Sequence, residues 1–375
     1  GSPFLSFSTV FNKWFLPQEL LDLVQSTDNE QQSYSILRGD VFVTRTSETM
    51  DELGMSSVAL KDYPHATYNG FTKRLRPINP ERILPEFIGY YLRTAVFRAG
   101  FTAFSTMTTR ASLRNEDLLS MKVPVPDMQA QKHIASILSA YDDLVESNQK
   151  QIKLLEEAAQ RLYKEWFVDL RFPGHETTPI VDGIPQGWER MVLSEVTSVL
   201  KRGISPKYSD NGKYSVINQK CIRSSIMDIS ESRRQEKEYV PTLNLQDSDT
   251  VICSTGTGTL GRVGRVYGDY PNTTFDSHVT LVRAKENPNY IYHVVKSQQE
   301  YLMGMGRGST NQQELYRDVI ERLVVLCPSQ DILLKADRVL NAIHCKIKAV
   351  YLQNNLLVES RDRLLPKLMS GELEV

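Results

Sequence analysis

The sequence predicts an α+β chain. Two repeated mixed α/β domains are separated by two long helices that pair antiparallel as a coiled coil about a pseudo-two-fold axis. The first observation behind this is an apolar stripe: Ile134, Leu138, Tyr141, Val145, Asn148, Ile152, Leu155, Ala159, Leu162, Trp166. Its steps alternate four and three, the period of roughly 3.5 residues that two helices share when they supercoil. The second is a return of the same stepping at Ala336, Leu340, Ile343, Ile347, Val350, Asn354, Leu357, Arg361, Leu364 and Leu368. The third is that the registers superpose at one constant shift, Leu340, Leu357 and Leu364 standing 202 residues after Leu138, Leu155 and Leu162. The match continues upstream through Thr108/Thr310, Leu113/Leu315, Val123/Val325 and Pro126/Pro328. Heptads recur by chance, but an irregular segment shared at the same shift marks an internal repeat.

Taken in order, residues 1–126 form the first mixed domain. A turn then a strand is expected over Ile36–Thr44, further strands at Ser56–Leu60 and Phe71–Leu75, and a helix over Glu86–Phe97. The first long helix is read over 127–167, in a segment closing at 170; Asp127 caps it and Pro173-Gly174 stops it. Residues 171–187, rich in Pro and Gly and without periodicity, read as an extended linker. The second domain, 188–328, repeats the plan of the first. Ser248–Cys253 stands where Gly39–Thr44 stood, and Phe275–Arg283 where Tyr68–Arg76 stood. The second long helix fills 329–371. Ser2–Ser6 aligns with Lys213–Ile217, so roughly 30 residues of the second domain lack a counterpart in the first. Gly1-Ser2 reads as a cloning remnant, and the natural chain, or a circularly permuted relative, is expected to begin earlier.

A chain of 375 residues is large enough for two or three cores. Its net charge of −1 excludes a strongly basic tail or an acidic solvating segment. A nucleic-acid ligand would have to be held by local basic clusters while the net-acidic first helix compensates. Cys221, Cys253, Cys327 and Cys345 show no C-x-x-C spacing; read as free thiols they fit a reducing cytoplasm. No apolar run approaches the roughly 18–20 residues of a membrane span. The opening Phe4–Leu16 is a poor signal peptide, since Asn12 and Lys13 break it.

Catalytic motifs fail on inspection. Gly256-Thr257-Gly258-Thr259-Leu260-Gly261 spells G-x-G-x-x-G, but a dinucleotide site needs a helix next, and Arg262–Gly268 alternates like a strand. A tight loop between strands fits better. Arg262 and Arg265 are then expected on one strand face, facing phosphates or merely solvated. Asn287-Pro288-Asn289-Tyr290 resembles the Asn-Pro-Pro-Tyr loop of amino-methyltransferases but lacks the second proline; a turn before a helix at Tyr290–Lys296 explains it. No lysine has Asp or Glu two residues before it, which removes Asp…Glu-x-Lys nuclease chemistry. The six histidines show no metal-ligand spacing, and no metal site is expected.

What remains are polar loops recurring at matching places in both repeats. In the first domain they contribute Ser6, Thr9, Arg45, Thr46, Thr108 and Arg110. In the second they contribute Lys201, Arg202, Asn218, Lys220, Arg223, Arg233, Arg234, Arg307, Thr310, Asn311 and Gln312, beside Arg262 and Arg265. Arg and Lys read guanine and Asn and Gln read adenine, while Ser and Thr hydroxyls serve phosphates. Any single polar loop is more often solvated surface, so the signal lies in the recurrence.

Gln131–Leu138, Leu155–Val168 and Ile184-Pro185-Gln186-Gly187-Trp188, with Asn355-Leu356-Leu357 and Arg363–Leu373, strongly resemble the specificity subunit of type I restriction-modification systems. The resemblance covers nearly the whole chain, is specific in the helices and weak in the domains. It implies two target-recognition domains that read the halves of an asymmetric, gapped double-stranded DNA site. It also implies a non-catalytic chain whose helices space the domains and dock two adenine-N6 methyltransferase subunits, restriction/translocase subunits joining the larger complex. This chain would bind no cofactor; S-adenosylmethionine, ATP and Mg²⁺ would belong to the partners. The rival readings are a non-catalytic coiled-coil scaffold whose domains bind protein, and a self-contained methyltransferase or nuclease. The first predicts no salt-dependent DNA affinity.

Two geometric expectations follow. A helix of about 40 residues spans roughly 60 Å at 1.5 Å per residue, so helix length would set the number of unread base pairs between half-sites. A pseudo-two-fold centred near Lys150 and Leu352 would bring Asn148 and Asn354 face to face, or leave them half-exposed at the seam edge.

Overall fold

The structure, a computed structural model, describes residues 1–47, 53–104, 106–107, 111–308 and 313–373. Its contacts divide the chain into two units: Gly1–Gln149 with Gln353–Val375, and Lys150–Leu352. The division cuts both long helices instead of parting them from the domains. Each unit is therefore one mixed domain plus one half of each helix.

The first unit builds on strands β1 (Ser2–Leu5), β2 (Leu23–Val24), β3 (Val41–Thr44), β4 (Ser56–Val58), β5 (Thr67–Tyr68) and β6 (Thr72–Leu75). β1 lies between antiparallel β2 and parallel β5, and β3 lies between β4 and β6. The second unit uses β7 (Thr197–Arg202), β8 (Tyr214–Ile217), β9 (Arg233–Gln235), β10 (Thr250–Cys253), β11 (Val263–Arg265), β12 (Thr273–Phe275) and β13 (Val279–Ala284). The sheet orders β9-β8-β12 and β11-β10-β13 repeat β2-β1-β5 and β4-β3-β6. β7 adds a fourth strand beside β13 that has no counterpart among the described residues of the first unit. Register refines the expected alignment by one residue. Leu5 pairs with Tyr68 as Ile217 pairs with Phe275, so Leu5, not Ser6, matches Ile217.

An ion pair on a buried aspartate fixes each copy of the central strand. Arg76 donates Nε and a terminal nitrogen to the two oxygens of Asp40, both at 2.6 Å. Arg283 does the same to Asp249, both at 2.7 Å. Each carboxylate also accepts a backbone N–H three residues upstream, from Leu37 and Gln246, both at 2.8 Å. Such forked pairing satisfies the charge that burial would otherwise penalise.

The expected Glu86–Phe97 helix is two helices. α1 (Pro85–Tyr91) ends, and a second helix starts at Ala95, where the Thr94 hydroxyl accepts the Phe97 N–H at 3.3 Å as an N-cap. The turn at Asn287-Pro288 opens α2 (Pro288–Ser297). The linker differs too: Phe172 is buried against Trp188, ring centroids 4.8 Å apart, and Ile180–Val181 pairs with Ile184–Pro185. Aromatic burial ties this stretch down.

The first long helix runs Met128–Tyr163 and finishes in a wider π turn, Lys164–Val168; the second runs Gln330–Ser370. Asp127 accepts the N–H groups of Gln129 and Ala130, both at 2.9 Å. In the first unit Ile134 and Leu138 pack with Leu365, Leu368 and with Phe87 and Tyr90 of α1. In the second, Ile152 and Leu155 cluster with Ile343, Ile347 and Tyr351, and Tyr163 and Phe167 with Ile332, Leu333 and Ala336. The partners count down as the first helix counts up, so the halves are antiparallel within each unit. The expected seam residues Ile134, Leu138, Tyr141, Val145, Asn148, Ile152, Leu155, Leu162, Trp166, Leu340, Ile343, Ile347, Val350, Asn354, Leu357, Leu364 and Leu368 are all buried or half-buried. Asn148 donates Nδ2–H to Asn354 Oδ1 at 2.9 Å, both side chains buried.

The domain-to-helix lock is duplicated in position but not in chemistry. α1 and α2 superpose from Pro85 and Pro288, which matches Tyr90 to His293; the helix shift matches Asp142 to His344. In the first unit Tyr90 donates its hydroxyl to Asp142 at 2.6 Å, and Arg361 pairs with the same carboxylate. In the second, His293 Nε2 meets His344 Nε2 at 3.0 Å, and the Tyr267 hydroxyl meets His344 Nδ1 at 2.8 Å. One imidazole must donate and the other accept, so the contact requires at least one neutral ring and excludes protonation of both. Burial, with Arg265 nearby, pushes His293 down to about 3 and His344 down to about 2.

Replacing Asn148 alone by Leu strands the Asn354 amide and should lower unfolding free energy by about 1–3 kcal/mol in urea titrations. Replacing both by Leu should recover that loss. The histidine lock gives a pH dependence of definite sign. Both folded values lie below the unfolded value near 6.5, so their contribution is complete above about 6.5 and is lost as pH falls from there towards about 3 for His293 and about 2 for His344. The urea midpoint of the natural chain should fall between pH 7 and 5 more steeply than that of a His293→Phe, His344→Leu double variant.

Candidate nucleic-acid interface

In the second unit β7, β8, β10 and β12 all end at the edge where β13 begins. The pairings Arg202 with Thr280, Cys253 with Val279 and Ile217 with Phe275 require it. Gly203 makes the convergence possible. A Cβ there would lie 2.2 Å from the Asp276 carbonyl oxygen, so only glycine lets the chain cross that backbone. Polar side chains then interlock at this edge. Arg202 donates Nε–H to the Ser277 carbonyl at 2.6 Å and pairs with Glu314. The backbone of Glu314 bridges both Arg307 and Thr255. Thr255 Oγ1 meets His278 Nδ1 at 2.5 Å, and the His278 N–H donates to Asp276 at 2.8 Å. Asn218 opens a short 3-10 turn, its Oδ1 accepting the Lys220 N–H at 2.8 Å. Burial raises the Asp276 carboxyl and the Tyr208 hydroxyl above their ordinary ranges.

The structure thus brings Lys201, Arg202, Asn218, Lys220 and Arg307 to one edge. Lys201, Lys220 and Arg307 are exposed there. Arg202 is half-buried and committed to Ser277 and Glu314, and buried Asn218 is committed to its turn, so both shape the edge more than they face outward. Arg223 is exposed with Glu231 at 3.9 Å. Thr310, Asn311 and Gln312 lie outside the described residues. The Gly256–Gly261 stretch is a loop, with Gly261 pressed on the backbone of Met303.

The expectation for Arg262 and Arg265 is corrected. Residues three apart in a strand point to opposite faces, and β11 contains only Val263–Arg265. Arg262 lies half-buried before it, near Cys253. Arg265 is 1% exposed, donating to Asn289 Oδ1 at 2.7 Å, with the rings of Tyr267 and Tyr292 within 5.7 and 5.2 Å. Burial depresses its guanidinium, and it is a core residue unavailable to a phosphate.

In the first unit Ser6 precedes the helix Phe7–Asn12, its hydroxyl 3.0 Å from that of Thr9. Exposed Arg45 follows β3, and Thr46 pairs with Ser112. Lys73, which the sequence did not single out, lies close enough to Arg45 to be depressed by burial and by that charge. Its Nζ donates to the Leu113 carbonyl at 2.6 Å. Thr108 and Arg110 lie outside the described residues. Tyr208, Thr255 and His278 were also missed in the second unit; they join the edge through β-bridges and turns that leave no periodic signal.

Among the described residues no cluster of three or more His, Cys, Asp or Glu could hold a metal ion, and no helix is long and apolar enough to cross a membrane. A duplicated scaffold with divergent polar edges defines a two-module recognition protein. The family model for the type I restriction modification DNA specificity domain matches residues 3–157 and 185–332, and the chain belongs to that family. It is a specificity subunit of the type I class, the non-catalytic kind of chain in such systems. It is 28% identical over 334 residues to the MjaIX specificity subunit of Methanocaldococcus jannaschii, covering 85% of this chain and 75% of that one. It is 22% identical over 373 residues to the HindI specificity subunit of Haemophilus influenzae, covering 79% of each. The fold resembles the crystal structure of the type I S subunit from M. genitalium, with a TM-score of 0.52 at 15% identity, covering 98% of this chain and 92% of that one.

Arg265→Ala should cost about 3–5 kcal/mol in unfolding free energy by breaking a buried charged network. Lys220→Ala should leave stability within about 0.5 kcal/mol, yet flatten the log–log salt dependence of DNA affinity by about one unit if Lys220 meets a phosphate.

Proposed function

We propose that each unit reads one half of a bipartite, gapped double-stranded DNA site. In this reading the long helices dock two adenine-N6 methyltransferase subunits, and restriction/translocase subunits join the larger complex. One observation carries the reading: the two units share strand order and the Asp–Arg pair to the residue, while the side chains at their edges differ. A common scaffold with unlike edges suits one task performed on two sequences. A coiled-coil protein scaffold would give no reason for edges made of Lys, Arg, Ser and Thr in both copies. S-adenosylmethionine, ATP and Mg²⁺ belong to the partners in this proposal, and the setting is the cytoplasm, where four unpaired thiols persist.

Docking has its own support. Leu154 and Leu356 are equivalents at the 202-residue shift, and their exposures of 65% and 64% are nearly equal. Two identical apolar positions, each on an exposed helix face, suit two copies of one partner.

Mapping N6-methyladenine in cells with and without the full-length protein should show one gapped two-part motif that vanishes with it. Inserting one matched heptad into both helices should then lengthen the gap while leaving both half-sites unchanged; an unaltered gap defeats the spacer role.

A further inference from the structure

At the rim of the interlocked edge of the second unit, Tyr208 carries an exposed partner, Arg233, that the site above does not use. Ile204–Tyr208 follows Gly203 and lies along β9: Tyr208 bridges Gln235, the Ser209 N–H donates to the Arg234 carbonyl at 3.2 Å, and Glu236 donates to Lys207. This places the Arg233 guanidinium 3.6 Å from the Tyr208 ring centroid, close stacking for a cation on an aromatic face. Tyr208 is itself oriented, its hydroxyl 3.5 Å from Asp276. Both members remain open, Arg233 exposed and Tyr208 39% exposed.

The repeat separates two roles such a residue could have. Strand register matches Tyr214 and Gln235 to Ser2 and Val24, which sets Arg233 opposite Asp22 in the first unit. Phosphates are the same in every half-site, so a residue serving them has no reason to change sign between copies. Bases differ, and a base reader must change. An arginine held against a ring also presents its planar donor fork with less entropy left to lose, which suits the O6 and N7 acceptors of guanine.

We propose that Arg233, oriented by Tyr208, reads a guanine in the half-site recognised by the second unit. This deepens the DNA-reading function above and rests on it. The test uses the full chain with its modification subunits, a DNA duplex library randomised over both half-sites, and N6-methyladenine as readout. Arg233→Lys keeps the charge but loses the fork. It should relax one position of one half-site, lowering preference for guanine there by roughly 5- to 150-fold, with the other half-site unchanged. Tyr208→Phe keeps the ring and should retain the preference; Tyr208→Ala should weaken it at the same position. An unchanged motif for Arg233→Lys and Arg233→Ala overturns the assignment. So does an Arg233→Ala loss that is uniform across sequences with a flatter salt slope, which would make Arg233 a phosphate contact. Failure of the natural complex to select any sequence would instead defeat the DNA-reading function itself.

Discussion

The constraint on which the fold depends is an apolar stripe too long for a small domain to cover. Each long helix carries seam residues along most of its length, from Ile134 to Trp166 and from Ala336 to Leu368, and only another helix of matching period can bury such a stripe. The chain supplies that helix by duplication. Each half of the seam is then finished by a domain: Phe87 and Tyr90 close the cluster around Leu138 and Leu365, and Tyr290 and Ile291 close the one around Phe167 and Ala336. The domains do not hang from a finished coiled coil. They complete its hydrophobic cross-section, which is why the units cut across the helices.

Periodic features were legible in the sequence, and so was anything the repeat copied. Seam positions, the capping role of Asp127 and the central strands all follow from spacing that recurs. The Asp40–Arg76 and Asp249–Arg283 pairs were already aligned with one another by the repeat, although the sequence alone gave no sign that they touch. The failures share a physical cause. Arg265 looks like a surface arginine until Asn289 is placed beside it, and that contact joins residues 24 apart through tertiary packing. Residues 171–187 look like a free linker because Pro and Gly interrupt every pattern, yet one aromatic, Phe172, is enough to anchor them.

The edge residues were legible as a class but not as individuals. Arg202, Asn218 and Lys220 come from polar loops of similar composition, and only hydrogen bonding separates those committed to architecture from those left facing solvent. Arg202 must satisfy the Ser277 carbonyl and Glu314 because half-burial makes an unpaired guanidinium expensive. Lys220, exposed, has no such obligation. Burial and partner count sort such a list where residue type cannot.

Duplication also provides an internal control that a single domain lacks. Where both copies keep the same chemistry, as in the Asp–Arg pairs, the position answers to the fold. Where they keep the place and exchange the chemistry, two cases arise. A buried exchange, Tyr90–Asp142 against His293–His344, performs the same docking task with different groups, because either pair satisfies its own hydrogen bonds. An exposed exchange, Asp22 against Arg233, has no shared internal partner to satisfy: Tyr208 orients Arg233, but no buried group requires either charge. Its constraint must come from outside the chain, and in a protein whose two halves recognise different sequences that outside agent differs by half-site.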